Sequence, residues 1–290
     1  MGTYFNIHNH TMYSNIRLLD CINRPKDLID KAIELGLSGI AITDHECLSA
    51  HMEVNQYAKE IKKKNPDFVI VLGNEVYLVD KRENGIKYYH FILAAKDEIG
   101  HKALRELSSI AWYNSYVDRG MERVPITKEE LRKIMSKYKG HVVASTACMG
   151  GELSTNALAM TLAEDVGDIA TAKVHYDKIN EFMAYCMRVF GDDFYIEIQD
   201  HGIEDQATVL PMLLQLARKH DIQLVATNDC HYINKEDSKM QYALICVQTN
   251  KRLSDPDTLE FETDEFYVKS TEEMYDLFSF LILELVQHAF

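Results

Sequence analysis

Long hydrophobic runs are missing from this chain. The longest apolar stretch, near Phe280 to Val286, is interrupted by Glu284, and nothing approaches the length needed to span a bilayer. Six cysteines (Cys21, Cys47, Cys148, Cys186, Cys230 and Cys246) are widely scattered without a CxxC pair. This spacing argues against a disulfide framework or a zinc knuckle and fits a reducing cytoplasm. Proline and glycine are few, at 5 and 13 in 290 residues, and no Pro/Gly/Ser-rich linker, internal repeat or low-complexity segment is found. One compact domain is the simplest parse. Positive charge is the clearest deficit: 31 Lys and Arg stand against 45 Asp and Glu, a formal net charge of -14. A free-standing nucleic-acid binder needs a Lys/Arg surface, so that class is disfavoured, although bound cations would let an acidic chain hold phosphates. The first residues lack the basic region and apolar core of a signal peptide, and Asn6 stands where a myristoylation signal wants Ser or Thr.

What is present is an alternation of short apolar runs with helical stretches. Pro25 suits the first turn of a helix that Gly36 stops. Strands are expected at Gly39 to Thr43, Phe68 to Leu72, Val142 to Ser145, Phe194 to Ile198 and Gln223 to Thr227. Val76 to Val79 and Tyr88 to Ala95 form a hairpin around Glu83-Asn84-Gly85. Helices are expected at about Ala50 to Lys64, Glu98 to Tyr116, Thr171 to Phe190 and Asp205 to His220, with a capping box at Thr127 to Glu130 opening another. Strands separated by helices imply right-handed crossovers and a largely parallel sheet, and seven such units suggest a closed or nearly closed α/β barrel.

Chemistry in such barrels sits where the strands finish. His8 and His10 follow the apolar run Tyr4 to Ile7, and residues two apart on a strand share a face, which is a chelating geometry. His45, Glu75, Cys148 and the pair Asp229/His231 end other strands, while His90 precedes its own. Each alone has a bland reading: a helix cap, a solvated strand end, a small buried thiol. Together they point to a multi-metal site. His51, His101, His141, His175, His220 and His288 fall on helices or strand entries and are read as ordinary histidines. Trp112, Tyr113 and Tyr116 have helical spacing and are read as core packing.

His8-x-His10, Thr43-Asp44-His45, Gly73-Asn74-Glu75-Val76, His90, Ser145 to Cys148 and Asn228 to His231 resemble the ordered motifs of the PHP family (polymerase and histidinol phosphatase). Phe194 to Gly202 and Phe261 to Tyr267 resemble its branch at the N-terminus of bacterial replicative DNA polymerase III alpha subunits. The resemblance implies a distorted seven-stranded (β/α)7 TIM-like barrel, here residues 1–270, followed by a C-terminal helical segment, 271–290, leading towards a polymerase region that this chain lacks. It also implies three divalent metal ions. His8, His10, Glu75 and Asp229 would hold one, Glu75, His90 and Cys148 a second, and Asp20, His45 and His231 the third, with Glu75, Asp229 and His231 taking catalytic roles. Departures are a longer spacing from Ser14 to Asp20, Cys21 in place of Gly, Glu46 where Gly is common, and the segment from Ser279 to Phe290. Asp20 is therefore the ligand the pattern supports least. Asp200 and His201 end a strand but match no ligand of the family, and are read as rim residues.

Imidazole and thiolate favour Zn, and shared carboxylates admit Mn or Fe, so the donor set leaves the metal open. Cations bridged by Glu75 would acidify a shared water for in-line hydrolysis of a phosphate ester. The resemblance implies a 3′ to 5′ exonuclease acting on a DNA 3′ end in replication, partnered by the remainder of a polymerase chain and replisome subunits. A metal-stabilised silent scaffold and a histidinol-phosphatase-like phosphomonoesterase are the competing readings.

Overall fold

The computed structural model describes residues 3–118, 120–255 and 260–287, with side chains as far as residue 279. Strand β1 (Phe5–Asn6) enters a loop with one 3-10 turn, and α1 (Pro25–Glu34) starts on Pro25, whose missing N–H is no loss in a first turn. Gly36, at φ 68, ends it in a left-handed conformation that an L side chain resists. Strand β2 (Gly39–Ile42), α2 (His51–Lys64), β3 (Val69–Val79), β4 (Tyr89–Ala95) and α3 (Glu98–Tyr113) follow. A small hairpin, β5 (Tyr116–Asp118) and β6 (Met121–Arg123), and β7 (Ile126–Thr127) lead to α4 (Lys128–Lys137), which opens on the expected capping box of Thr127 and Glu130. The remaining elements are β8 (Val142–Ser145), α5 (Glu152–Asp165), α6 (Ile169–Phe190), β9 (Phe194–Ile198), α7 (Glu204–His220), β10 (Leu224–Ala226), α8 (Ser238–Thr249) and α9 (Thr271–Gln287).

Seven strands form the wall of a distorted α/β barrel in the order β1-β2-β3-β4-β8-β9-β10, with β7 added beside β3. Neighbours are parallel except at β4, which is antiparallel to both β3 and β8. The seam between the first and last strands is a single bridge, Asn9 to Cys230, with His10 N donating to Cys230 O at 3.0 Å. Apolar side chains of β3, β4, β8 and β9 pack against α3 to α7 in one core, and those of β2, α1 and α2 form a second. Met274 and Phe278 of α9 join the first core.

Three local expectations are corrected. The runs at Phe68 and Val76 are one eleven-residue strand, because β3 pairs with β2 along its first half and with β4 along its second. Helix α3 stops at Tyr113 rather than Tyr116; Asn114 caps it, Tyr113 is 91 % exposed and Tyr116 lies in β5, so only Trp112 of that trio packs. Helix α5 was not anticipated because its buried residues, including Leu153, Asn156, Ala157 and Met160, mix polar with apolar and leave no one-sided stripe.

Gly39 sits where β1, β2 and β3 crowd: a Cβ there would lie 2.3 Å from a Phe5 ring carbon and 2.4 Å from Val69 O. Gly39→Ala is expected to destabilise the fold by about 1–3 kcal/mol through overpacking, read as a lower urea midpoint with an unchanged slope.

Candidate metal centre

The parallel strands finish at one mouth, and β4, running the other way, begins there. That reversal brings His90, near the start of β4 and opposite Tyr77 of β3, to the end of the barrel that holds Glu75 and the residues that follow β1, β2, β8 and β10. Three non-glycine residues in these strand-end loops hold positive φ: Glu46 at 52, Ala147 at 60 and Asp229 at 44. Strained backbone of this kind persists where the surroundings over-determine it.

Four side chains converge most closely. His8 Nε2 lies 3.0 Å from Glu75 Oε2, 3.2 Å from His10 Nε2 and 3.2 Å from Asp229 Oδ1. His10 Nε2 lies 3.2 Å from Glu75 Oε2 and 3.1 Å from Asp229 Oδ1. These five contacts gather two nitrogens and two carboxylate oxygens, the donor types that divalent metals such as zinc take, into one buried cluster. The outward nitrogens explain why the inner ones are lone pairs in the neutral rings. His8 Nδ1 is 2.6 Å from Glu197 Oε1, a carboxylate oxygen that accepts. His10 Nδ1 meets Ser14 Oγ at 3.2 Å, and that hydroxyl spends its own proton on Asp44 Oδ1 at 2.7 Å. Four electron-rich atoms at this spacing repel one another unless a cation or protons lie among them.

The other candidate ligands surround this cage. Glu75 Oε1 faces His90 Nδ1 in a short contact and lies 3.5 Å from His45 Nδ1; Cys148 Sγ is 3.4 Å from His90 Nδ1. Asp20 Oδ2 lies 3.3 Å from His45 Nε2 and 3.9 Å from His231 Nε2, so the long loop before it does bring Asp20 to the cluster. His10 stacks on His45 at a centroid distance of 4.1 Å and is 4.5 Å from His231. His231 Nδ1 donates to Asp229 O at 2.8 Å, which turns Nε2 inward. Asp20 Oδ1, His45 Nε2, Glu75 Oε1 and Asp229 Oδ1 are buried without a hydrogen-bond partner, as groups awaiting cations would be. The residues therefore fit divalent ions in donor type and spacing.

Charge is balanced inside the cluster. Burial acts to raise Glu75, but the imidazoles of His90 and His45 overcome it and hold the carboxyl well below its usual range. Asp229 is likewise depressed against its burial, by His8 and His231. Burial disfavours a charged His8, yet Asp229 and Glu197 leave it raised well above its ordinary value. His231 goes the other way, lowered to about 4 by burial and then by His10. Burial pushes the Cys148 thiol well up, with Asp229 and Glu75 adding to it. Cation binding at such groups competes with protons for the same lone pairs.

His201 corrects one expectation. It is fully buried rather than at a rim, donating from Nε2 to Asn228 O at 3.0 Å, accepting from Gln206 at 2.8 Å and stacking on Phe266. Its role is to fix the strand end before Asp229. His51 pairs with His101 and with Gly73 O, and His141 with Asp97, apart from the cluster; His288 lies outside the described residues. Glu197, Ser14 and Asp44 were missed as site residues. Glu197 is buried in β9 and takes hydrogen bonds from Ser145, Thr227 and Gln199 as well as His8. An acid inside the run Phe194-Tyr-Ile-Glu-Ile was the available signal, because a buried carboxylate demands partners.

Fold and cluster together define an α/β barrel with a candidate metal centre at its mouth. The chain belongs to the PHP domain family, whose model matches residues 6–201. It is 38 % identical over 298 residues to a DNA-directed DNA polymerase of Bacillus phage SPbeta, covering 97 % of this chain. It is also 35 % identical over 283 residues to the DNA polymerase III subunit alpha of Borreliella burgdorferi, covering 95 % of this chain, and 35 % identical over 282 residues to that of Treponema pallidum, covering 94 %. The chain spans only 22 % of the length of each of these relatives. Among the described residues no helix is long and apolar enough to cross a membrane.

Glu197→Leu should cost about 3–5 kcal/mol, since it strands a buried His8 and two hydroxyls, whereas Glu197→Gln, keeping an acceptor, should cost much less. Denaturant titration of the metal-free proteins distinguishes the two.

Proposed function

We propose that this chain is a metal-dependent phosphoesterase that hydrolyses phosphodiester bonds at a DNA 3′ end, the 3′ to 5′ exonuclease unit of a longer polymerase III alpha-type chain. The observation that carries this reading is the close, buried convergence of His8, His10, Glu75 and Asp229. DNA as substrate is supported by the relatives, whose names are those of DNA polymerases. Residues 1–270 make the phosphoesterase unit, and 271–290 lead towards the rest of such a chain, which with other replisome subunits would be its partner.

In this reading His8, His10, Glu75 and Asp229 hold one cation, Glu75, His90 and Cys148 a second, and Asp20, His45 and His231 a third, each Zn, Mn or Fe. Divalent ions held there supply Lewis acidity, acidifying water and neutralising charge on the scissile phosphate. Glu75 is the bridging residue, because its Oε2 faces His8 and His10 while its Oε1 faces His90 and His45. Asp229 and His231 orient the reacting groups from a loop whose backbone is pinned by His201. Tyr77, at 3.3 Å from His45 Nδ1, steadies that imidazole and walls the site on one side.

The test is digestion of 3′-labelled and 5′-labelled oligonucleotides beside a phosphomonoester, with Mn(II) or Zn(II) added. Shortening from the 3′ end is expected. Asp229→Ala and His10→Ala should lower the rate by more than a hundredfold, and His201→Gln by less than about tenfold. Protein that binds ions yet cleaves neither substrate would make the metals structural and overturn the proposal. Preference for the monoester would make it a small-molecule phosphatase.

A further inference from the structure

Glu46 combines two costs. Its backbone is left-handed, at φ 52, and its carboxylate is buried, with 2 % of the side chain exposed. Each is unfavourable for a glutamate, and such outliers ask for a reason. The reason lies in what the side chain reaches. Arg17 Nε donates to Glu46 Oε2 at 2.7 Å, with only 7 % of the arginine side chain exposed. The same guanidinium donates through Nη2 to Glu122 O on β6 and lies 5.8 Å from the centre of the Trp112 ring. Trp112 Nε1 closes the circuit by donating to Glu46 O at 2.9 Å.

The position of this ring of contacts is informative. Glu46 directly follows His45, and Arg17 stands three residues before Asp20. The two segments so joined are those that place Asp20 Oδ2 and His45 Nε2 within 3.3 Å of each other. Asp20 sits on irregular backbone, beyond the 3-10 turn Met12–Ile16, with Asn15 Oδ1 accepting from its N–H at 3.2 Å. A buried ion pair adds little net stability over a packed apolar pair of the same volume, so the strain and desolvation at Glu46 are not explained by stability alone. What the pair does fix is the register of one loop against the other.

We infer that the Arg17–Glu46 pair is a positioning clamp that sets Asp20 against His45 and His231, and so governs the affinity of the third proposed cation site while leaving the other two alone. This rests on the three-cation reading above.

The test is the double variant Arg17→Met/Glu46→Gly, which leaves no unpaired buried charge and puts glycine where φ is positive. Wild type and variant are equilibrated with Zn(II), freed of excess by gel filtration, counted for bound zinc, and titrated. Wild type should hold three ions. The variant should hold two at unchanged affinity, with the third weakened about 10–100-fold, the usual effect of removing a support behind a ligand. Asp20→Asn should weaken the same ion and add nothing to the double variant. A variant holding all three ions at wild-type affinity overturns the clamp, and so does one that loses all three together. Wild type holding fewer than three overturns the three-cation reading itself, before any substitution is made.

Discussion

Everything in this barrel is arranged around a repulsion. Two imidazole nitrogens and two carboxylate oxygens are held in a buried site with five contacts of 3.0–3.2 Å among them. Electron-rich atoms this close in a buried site need positive charge nearby, and the carboxylates of Asp229, Glu197 and Glu75 accordingly push His8 and His10 above the ordinary imidazole value. The rest of the structure supplies the rigidity that keeps the groups from moving apart.

That rigidity comes from two levels. The strands set the coarse positions: parallel staves end at the mouth, and the one antiparallel stave begins there, so His90 reaches the same space as Glu75 and Cys148. A second layer of buried polar groups sets the ring orientations. Glu197 takes the outer nitrogen of His8, Ser14 backed by Asp44 takes that of His10, and the Asp229 carbonyl takes that of His231. These partners keep the lone pairs turned inward, which is the usual service of groups behind a metal-binding histidine.

The same layer makes the mouth locally strained. Glu46 and Ala147, each next to a candidate ligand, and Asp229, itself a candidate, hold a left-handed conformation.

Much of this was legible in the sequence. His8-x-His10 and the acidic or histidine endings of separate apolar runs point to one cluster of candidate ligands because strand periodicity and the geometry of α/β barrels bring such endings to one mouth. The capping box at Thr127 and the helix start at Pro25 were equally local, since a few adjacent residues decide them. Other features depend on residues far apart in the chain. Glu197 reads as one polar residue in an apolar strand until β9 is set beside β8 and β10, where Ser145, Thr227 and His8 meet it. His201 looks like a rim residue until Phe266 and Asn228 close over it. Arg17 and Glu46 look like ordinary surface charges until two loops fold together. The candidate ligands are written in residue type and spacing, which the chain carries everywhere it goes; the partners that orient those side chains are fixed only by long-range packing, and so only the tertiary structure decides them.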